Sequence, residues 1–153
     1  MISEILHRKS TLLFISLSLI ALLFGIYYQT LDNPFIFDDL LTYGPLTTKP
    51  LYSRFPFQRF ISNKTFLYIY NEISTELKYQ RIFNIALHAF NSILVYFFSY
   101  SFFKSKSTSL FVSTFFAFNP AAIYAVSYLV QRNILMATFF WLIQCLLFYW
   151  SLK

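Results

Sequence analysis

Three groups of polar residues stand out in an otherwise apolar chain. The first is the pair Asp38-Asp39, in the stretch Asn33-Pro-Phe-Ile-Phe-Asp38-Asp39. Neighbours in an extended strand point to opposite sides, so both acids could share one metal only across a turn. A single acid facing a cavity as general base is the simpler chemistry. Withdrawal from water disfavours the charged carboxylate and brings it closer to the range useful for proton abstraction near neutrality. The bland alternative is a solvated loop pair or a helix N-cap. The second group is Asn84, His88 and Asn91. Spacings of four and three place them on one stripe of a helix. The third is Arg132, between the apolar runs on either side of Tyr128-Leu-Val-Gln-Arg132-Asn133. A guanidinium fork matches phosphate oxygens, and a helix starting at Asn133 would add its exposed N–H groups to an anion site. An interfacial arginine capping a turn is the alternative.

The elements that must carry these residues follow from composition. The chain has 153 residues, 58% of them hydrophobic, 23% aromatic and 12% charged, with a net charge of +6. Soluble domains carry about 25% charged residues, and a small one cannot hide this much apolar surface. Disordered chains are poor in aromatics. Two glycines exclude collagen-like repeats, and the single Cys145 excludes an internal disulfide and a cysteine-based zinc site. No phosphate-binding glycine loop, nucleophile elbow or metalloprotease helix occurs. No basic-aromatic pattern for nucleic acid occurs either, so no nucleic-acid partner and no metal are expected. The expected class is all-α: a polytopic helical membrane protein in a single membrane domain over residues 1–153, with membrane lipids around it.

About four spans fit the length. Thr11 to Tyr28 holds no charge and follows His7, Arg8 and Lys9. It is too long for a signal-peptide core and lacks a small-residue cleavage site, so it reads as a retained anchor. Residues 29–81 form a long loop carrying most of the acids. Its aromatic-basic stretch around Phe55 to Tyr70 suits interfacial helices. The second span covers 82–103. After the connector Lys104-Ser-Lys106 a third covers 105–118. Asn119-Pro120 breaks it and a short helix follows over 120–131. The last span covers 133–152. Arg8, Lys9, Lys104, Lys106 and Lys153 share one side when both termini are cytoplasmic, which leaves the 29–81 loop extracytoplasmic. Residue usage suggests a bacterial inner membrane. In such a setting Asn84, His88 and Asn91 must turn away from lipid, either toward other helices or toward a cavity. Asn63-Lys-Thr65 fits the N-glycosylation pattern, which is frequent by chance.

Taken in order, these segments resemble the N-terminal part of C-type glycosyltransferases, specifically the O-mannosyltransferase-like family with transmembrane and tetratricopeptide-repeat regions. One span precedes Phe35-Ile-Phe-Asp38-Asp39. An outer loop leads to Gln80-Arg81-Ile-Phe-Asn84-Ile-Ala-Leu-His88-Ala-Phe-Asn91. Phe118-Asn119-Pro120 then stands where the family has His-Pro, and Tyr128-Leu-Val-Gln131-Arg132 leads into a span. The likeness covers roughly residues 11–152. It implies transfer of a sugar from a polyprenyl-phosphate donor to an acceptor hydroxyl at the outer face. On that likeness Asp38 is the base and Asp39 its neighbour, Arg132 holds the donor phosphate, and Asn84, His88 and Asn91 line or brace the cavity. The donor is the only cofactor-like group implied. Several family positions differ: Asn119 replaces His, Gln80-Arg81 replaces Tyr-His, and Tyr124 stands where an acid or amide is common. Family members also continue with many more spans. The expectation is a split or truncated module that needs other membrane chains. A non-catalytic subunit or assembly factor of a larger membrane complex is the alternative.

Overall fold

The computed structural model describes residues 16–34, 39 and 59–152. Among these residues every regular element is helical. We label the helices α1 (Ser16–Thr30, its last turn 3-10), α2 (Phe60–Tyr68), α3 (Leu77–Phe103), α4 (Lys106–Ala117), α5 (Ala122–Ser127) and α6 (Arg132–Ser151). A π-helical turn, Ile69–Ile73, extends α2. A 3-10 turn, Leu129–Gln131, leads into α6.

The long helix α3 is the hub, packed chiefly against α4 and α6. Its first turn begins at Leu77, five residues before the span start expected from hydropathy, and so brings Gln80 and Arg81 into the helix. The reason is physical. These two polar side chains interrupt an apolar window without interrupting the helix, because both find acceptors inside the fold. At its far end Lys104 adopts a left-handed conformation, φ 55°. Glycine usually takes that place; here the Lys104 N–H donates to the Tyr100 carbonyl at 3.1 Å. The lysine Nζ also donates to Tyr149 Oη at 2.7 Å, and that hydroxyl donates to the Ser101 carbonyl at 2.8 Å, which ties the turn to α6. Ser105 then caps α4 by accepting from the Thr108 N–H at 3.3 Å.

The α3–α4 seam is lined by small residues. Ala89, Ser92, Ser109, Ser113 and Ala117 are all buried, and Ser113 Oγ donates to the Ser92 carbonyl at 2.7 Å. Small side chains let helix backbones approach closely, as membrane helices do. α1 lays Leu19, Leu23 and Tyr27, one turn apart, onto Ile85, Ala89, Ala117, Val126 and Leu135. α4 stops where the sequence predicts. Asn119 Oδ1 accepts from the Ala121 N–H at 2.9 Å, closing a turn around Pro120.

The short helix expected over 120–131 is instead two pieces. Tyr128 is extended, φ −98° and ψ 116°, and separates α5 from the 3-10 turn. Among the described residues two helices are long and apolar enough to cross a membrane: α3, and the 3-10 turn continuous with α6 over Leu129–Ser151. α4, with 12 residues, reaches only about 18 Å against a hydrocarbon core of about 30 Å. The described part of α1 is also short of a full crossing. The long loop's described part holds α2, whose Ser62, Asn63 and Phe66 are buried while Phe60, Ile61 and Tyr68 project outward.

Beside the apolar core, several polar side chains are buried and several large aromatic ones are exposed. Asp39, Arg81, Asn84, His88, Asn91, Ser92 and Arg132 are buried, whereas Phe90, Phe111, Phe115, Trp141, Phe148 and Trp150 are exposed.

Candidate functional site

The site is built around the extended residue Tyr128. Because the chain leaves helical geometry there, the first N–H groups of the following turn have no carbonyl a turn earlier to bond. Asp39 takes two of them. Its Oδ1 accepts from the Val130 N–H at 2.8 Å and its Oδ2 from the Leu129 N–H at 3.1 Å. The carboxylate is fully buried, 0% exposed. A negative group at a helix N-terminus is favoured both by the free N–H donors and by the helix dipole. Of the two alternatives open for this acid, Asp39 therefore occupies the capping position, 90 residues away in sequence from the turn it caps. Asp38 lies outside the described residues.

Arg132, the first residue of α6, points back toward α3 and α2. Its Nε donates to Asn84 Oδ1 at 2.8 Å. One terminal nitrogen donates to both the Gln80 carbonyl at 2.9 Å and Gln80 Oε1 at 2.8 Å. The other lies 3.5 Å from Thr65 Oγ1. The guanidinium carbon sits 4.9 Å from the Phe83 ring centre and 5.7 Å from that of Phe66, within cation–π range. The side chain is 0% exposed. Arg132 and Asp39 thus meet the same turn from two sides: the acid on its backbone, the base extending from its end.

The stripe on α3 has a consistent use. Gln80 Nε2 donates to the Phe66 carbonyl at 3.0 Å. Asn84 Nδ2 donates to the Val126 carbonyl at 3.1 Å. His88 Nε2 lies 3.0 Å from the Ala117 carbonyl, so this nitrogen carries the proton. Asn91 Nδ2 donates to the Leu135 carbonyl at 2.9 Å. Two of these carbonyls, Val126 and Ala117, lie in the last turns of α5 and α4, where a helix leaves its C=O groups without intrahelical partners. The hub helix thus satisfies the ends of these two neighbours through Asn84 and His88, spaced four apart.

Asn84, His88 and Asn91 therefore sit in helix–helix seams. Two apolar grooves lie elsewhere: one of about 640 Å³ along Phe140, Trp141, Gln144, Leu147 and Phe148, and one of about 280 Å³ by Phe111, Phe115 and Pro120. Two polar atoms in the seams lack a hydrogen-bond partner: His88 Nδ1, packed between Tyr27 and Phe116, and Asn91 Oδ1.

Gln80, Arg81 and Thr65 belong to this locus and escape hydropathy-based reading. The signal was present for Gln80, since it precedes Asn84 by one turn on the same stripe. It was hidden by starting the span at residue 82. Asn63, in the Asn-Lys-Thr pattern, is buried, and Thr65 Oγ1 donates to the Ser62 carbonyl at 2.8 Å. Among the described residues no group of three His, Cys, Asp or Glu side chains could hold a metal.

No protein-family model, curated protein or solved structure matches this chain.

Proposed function

We propose that the chain is a membrane-embedded module of a glycosyltransferase. In this reading it helps move a sugar from a polyprenyl-phosphate donor to an acceptor hydroxyl at the outer face. The observation that supports this is convergence. The three segments on which the resemblance rests are remote in sequence, yet Asp39, Asn84 and Arg132 gather around one turn, Leu129–Gln131. A transferase of this kind needs a base, an oriented sugar and a stabilised phosphate leaving group close together. Asp38, next to the anchored Asp39, is the base in this reading. Arg132 supplies positive charge toward the donor phosphate. Asn84, His88 and Asn91 brace the helices that wall the cavity, and further spans from other membrane chains complete it. The burial pattern supports the setting, since large aromatic side chains of the helices face outward while Asp39, Arg81 and Arg132 are buried. α1, α3, the α4–α5 pair and α6 would make four crossings of a bacterial inner membrane, with both termini cytoplasmic and residues 29–81 outside.

The test is transfer from a radiolabelled polyprenyl-phosphate hexose by membranes carrying the full chain. Asp38→Asn abolishes incorporation of label while the chain remains inserted. Unchanged incorporation removes the transferase reading.

A second reading has its own support. Asp39 uses both oxygens as acceptors, and Arg132 directs its donors to Asn84, Gln80 and Thr65. A locus whose polar groups serve one another suits a non-catalytic membrane subunit. That reading predicts full function of a co-purifying complex with Asp38→Asn.

A further inference from the structure

Arg81 has no part in the reading so far, yet it is among the most deeply buried large side chains, 1% exposed. It stands in the first turns of α3 and reaches the chain leaving α1. One terminal nitrogen donates to the Leu31 carbonyl at 2.9 Å and the other to the Pro34 carbonyl at 3.1 Å. A guanidinium can do this because its donors form a rigid planar fork; an ammonium cannot hold two carbonyls in fixed relative position. Leu31 and Pro34 open the stretch that ends at Asp39. The far end of that stretch is held by the Asp39 carboxylate on the Leu129 and Val130 N–H groups. Arg81 also lies within electrostatic reach of Asp39 and Asp32. Leu31 and Pro34 are therefore held by a base, and Asp39, five residues after Pro34 in sequence, is itself held as an acid.

We propose that Arg81 is a positioning residue: by holding the Leu31 and Pro34 carbonyls it sets where Asp39 meets the turn before α6. Its functional meaning rests on the transferase reading, because the stretch it holds carries the acid pair. Its structural meaning does not. Its hydrogen bonds go to backbone carbonyls, so in this proposal it acts through the chain leading to Asp39 rather than on a substrate. The fork also explains why a positive charge is kept inside the fold at this point. The carbonyls of Leu31 and Pro34, beyond the end of α1, each accept from one of its donors, and backbone carbonyls are groups that must find a partner wherever water is scarce.

The experiment uses the full chain in nanodiscs and compares Arg81→Lys and Arg81→Met with the parent. Amide hydrogen exchange is followed over residues 128–132, with residues 85–96 of α3 as the fold control. Arg81→Met accelerates exchange at 128–132 about tenfold or more while 85–96 stays protected, and Arg81→Lys restores part of the protection. In the transfer assay the same series lowers kcat at least tenfold and leaves the KM for polyprenyl-phosphate hexose within about twofold. Unchanged exchange at 128–132 in both variants overturns the proposal. So does loss of protection at 85–96 in both, because Arg81 would then hold the whole bundle. If exchange responds as stated but Asp38→Asn leaves transfer intact, the fastening stands and the transferase reading fails. If Asp38→Asn abolishes transfer and the Arg81 variants change neither exchange nor kcat, the positioning role fails alone.

Discussion

Replacing Asp39 by Asn isolates what its charge does. The change keeps size and shape and removes the charge that accepts from the Leu129 and Val130 N–H groups at 3.1 and 2.8 Å and that Arg81 feels. Asparagine retains one oxygen, so one N–H keeps a neutral acceptor in place of a charged one. The other N–H faces an NH2 group and is left buried without an acceptor. Hydrogen bonds to charged groups contribute about 1.5–3 kcal/mol, and an orphaned buried donor costs about 1–3 kcal/mol. Loss of the charge at the helix N-terminus removes up to about 2 kcal/mol more in a partly buried setting. These effects overlap, and together they amount to about 3–5 kcal/mol. That corresponds to roughly two to three and a half powers of ten in the folding equilibrium. The assay is reversible unfolding in mixed micelles, titrated with SDS and followed by far-UV circular dichroism. Asn119→Ala serves as comparison. It removes a single exposed side-chain acceptor from the Ala121 N–H and costs about 0.5–1.5 kcal/mol. A loss below about 1 kcal/mol for Asp39→Asn would refute the reasoning, because the carboxylate would then not be what closes the turn.

Other substitutions test the rest of the locus. Arg132→Lys destabilises the fold by about 2–4 kcal/mol in the same titration, because an ammonium cannot serve Asn84 and Gln80 together. His88→Leu costs only about 1–2 kcal/mol, since the bond to the Ala117 carbonyl is lost but the unpartnered Nδ1 disappears with it. Asn63 stays unmodified when the chain is made in a glycosylating host, because its side chain is buried; gel mobility before and after endoglycosidase treatment reads this directly.

Much of the helical layout is legible in the sequence. The break at Asn119-Pro120, the turn at Lys104 and the helix that begins at Arg132 all follow local rules for proline, charge and apolar runs. The start of α3 is legible only to those who ignore hydropathy, because Gln80 and Arg81 look like loop residues until their acceptors on α2 and beyond α1 are known. The interruption at Tyr128 is not encoded by any breaker. It exists because Asp39 supplies acceptors to the N–H groups that the interruption frees, and a contact across 90 residues leaves no periodic trace. The stripe Asn84, His88 and Asn91 was legible as inward-facing. The targets of Asn84 and His88, the end carbonyls of α5 and α4, were not, since they depend on where each helix stops.

The proposed membrane setting stands most directly on the large aromatic side chains that the helices leave exposed. Trp141 is 57% exposed near the middle of α6, and Trp150, equally exposed, is at its end. They are the only two tryptophans in the chain, so Trp150→Phe and Trp141→Phe each leave one reporter. Fluorescence quenching in bilayers of lipids brominated at different acyl positions reads the depth of each. The account predicts that Trp141 is quenched most by bromines deep in the acyl region and Trp150 most by those near the headgroups. Equal, weak quenching of both, or release of the chain from membranes by alkaline carbonate, would contradict it.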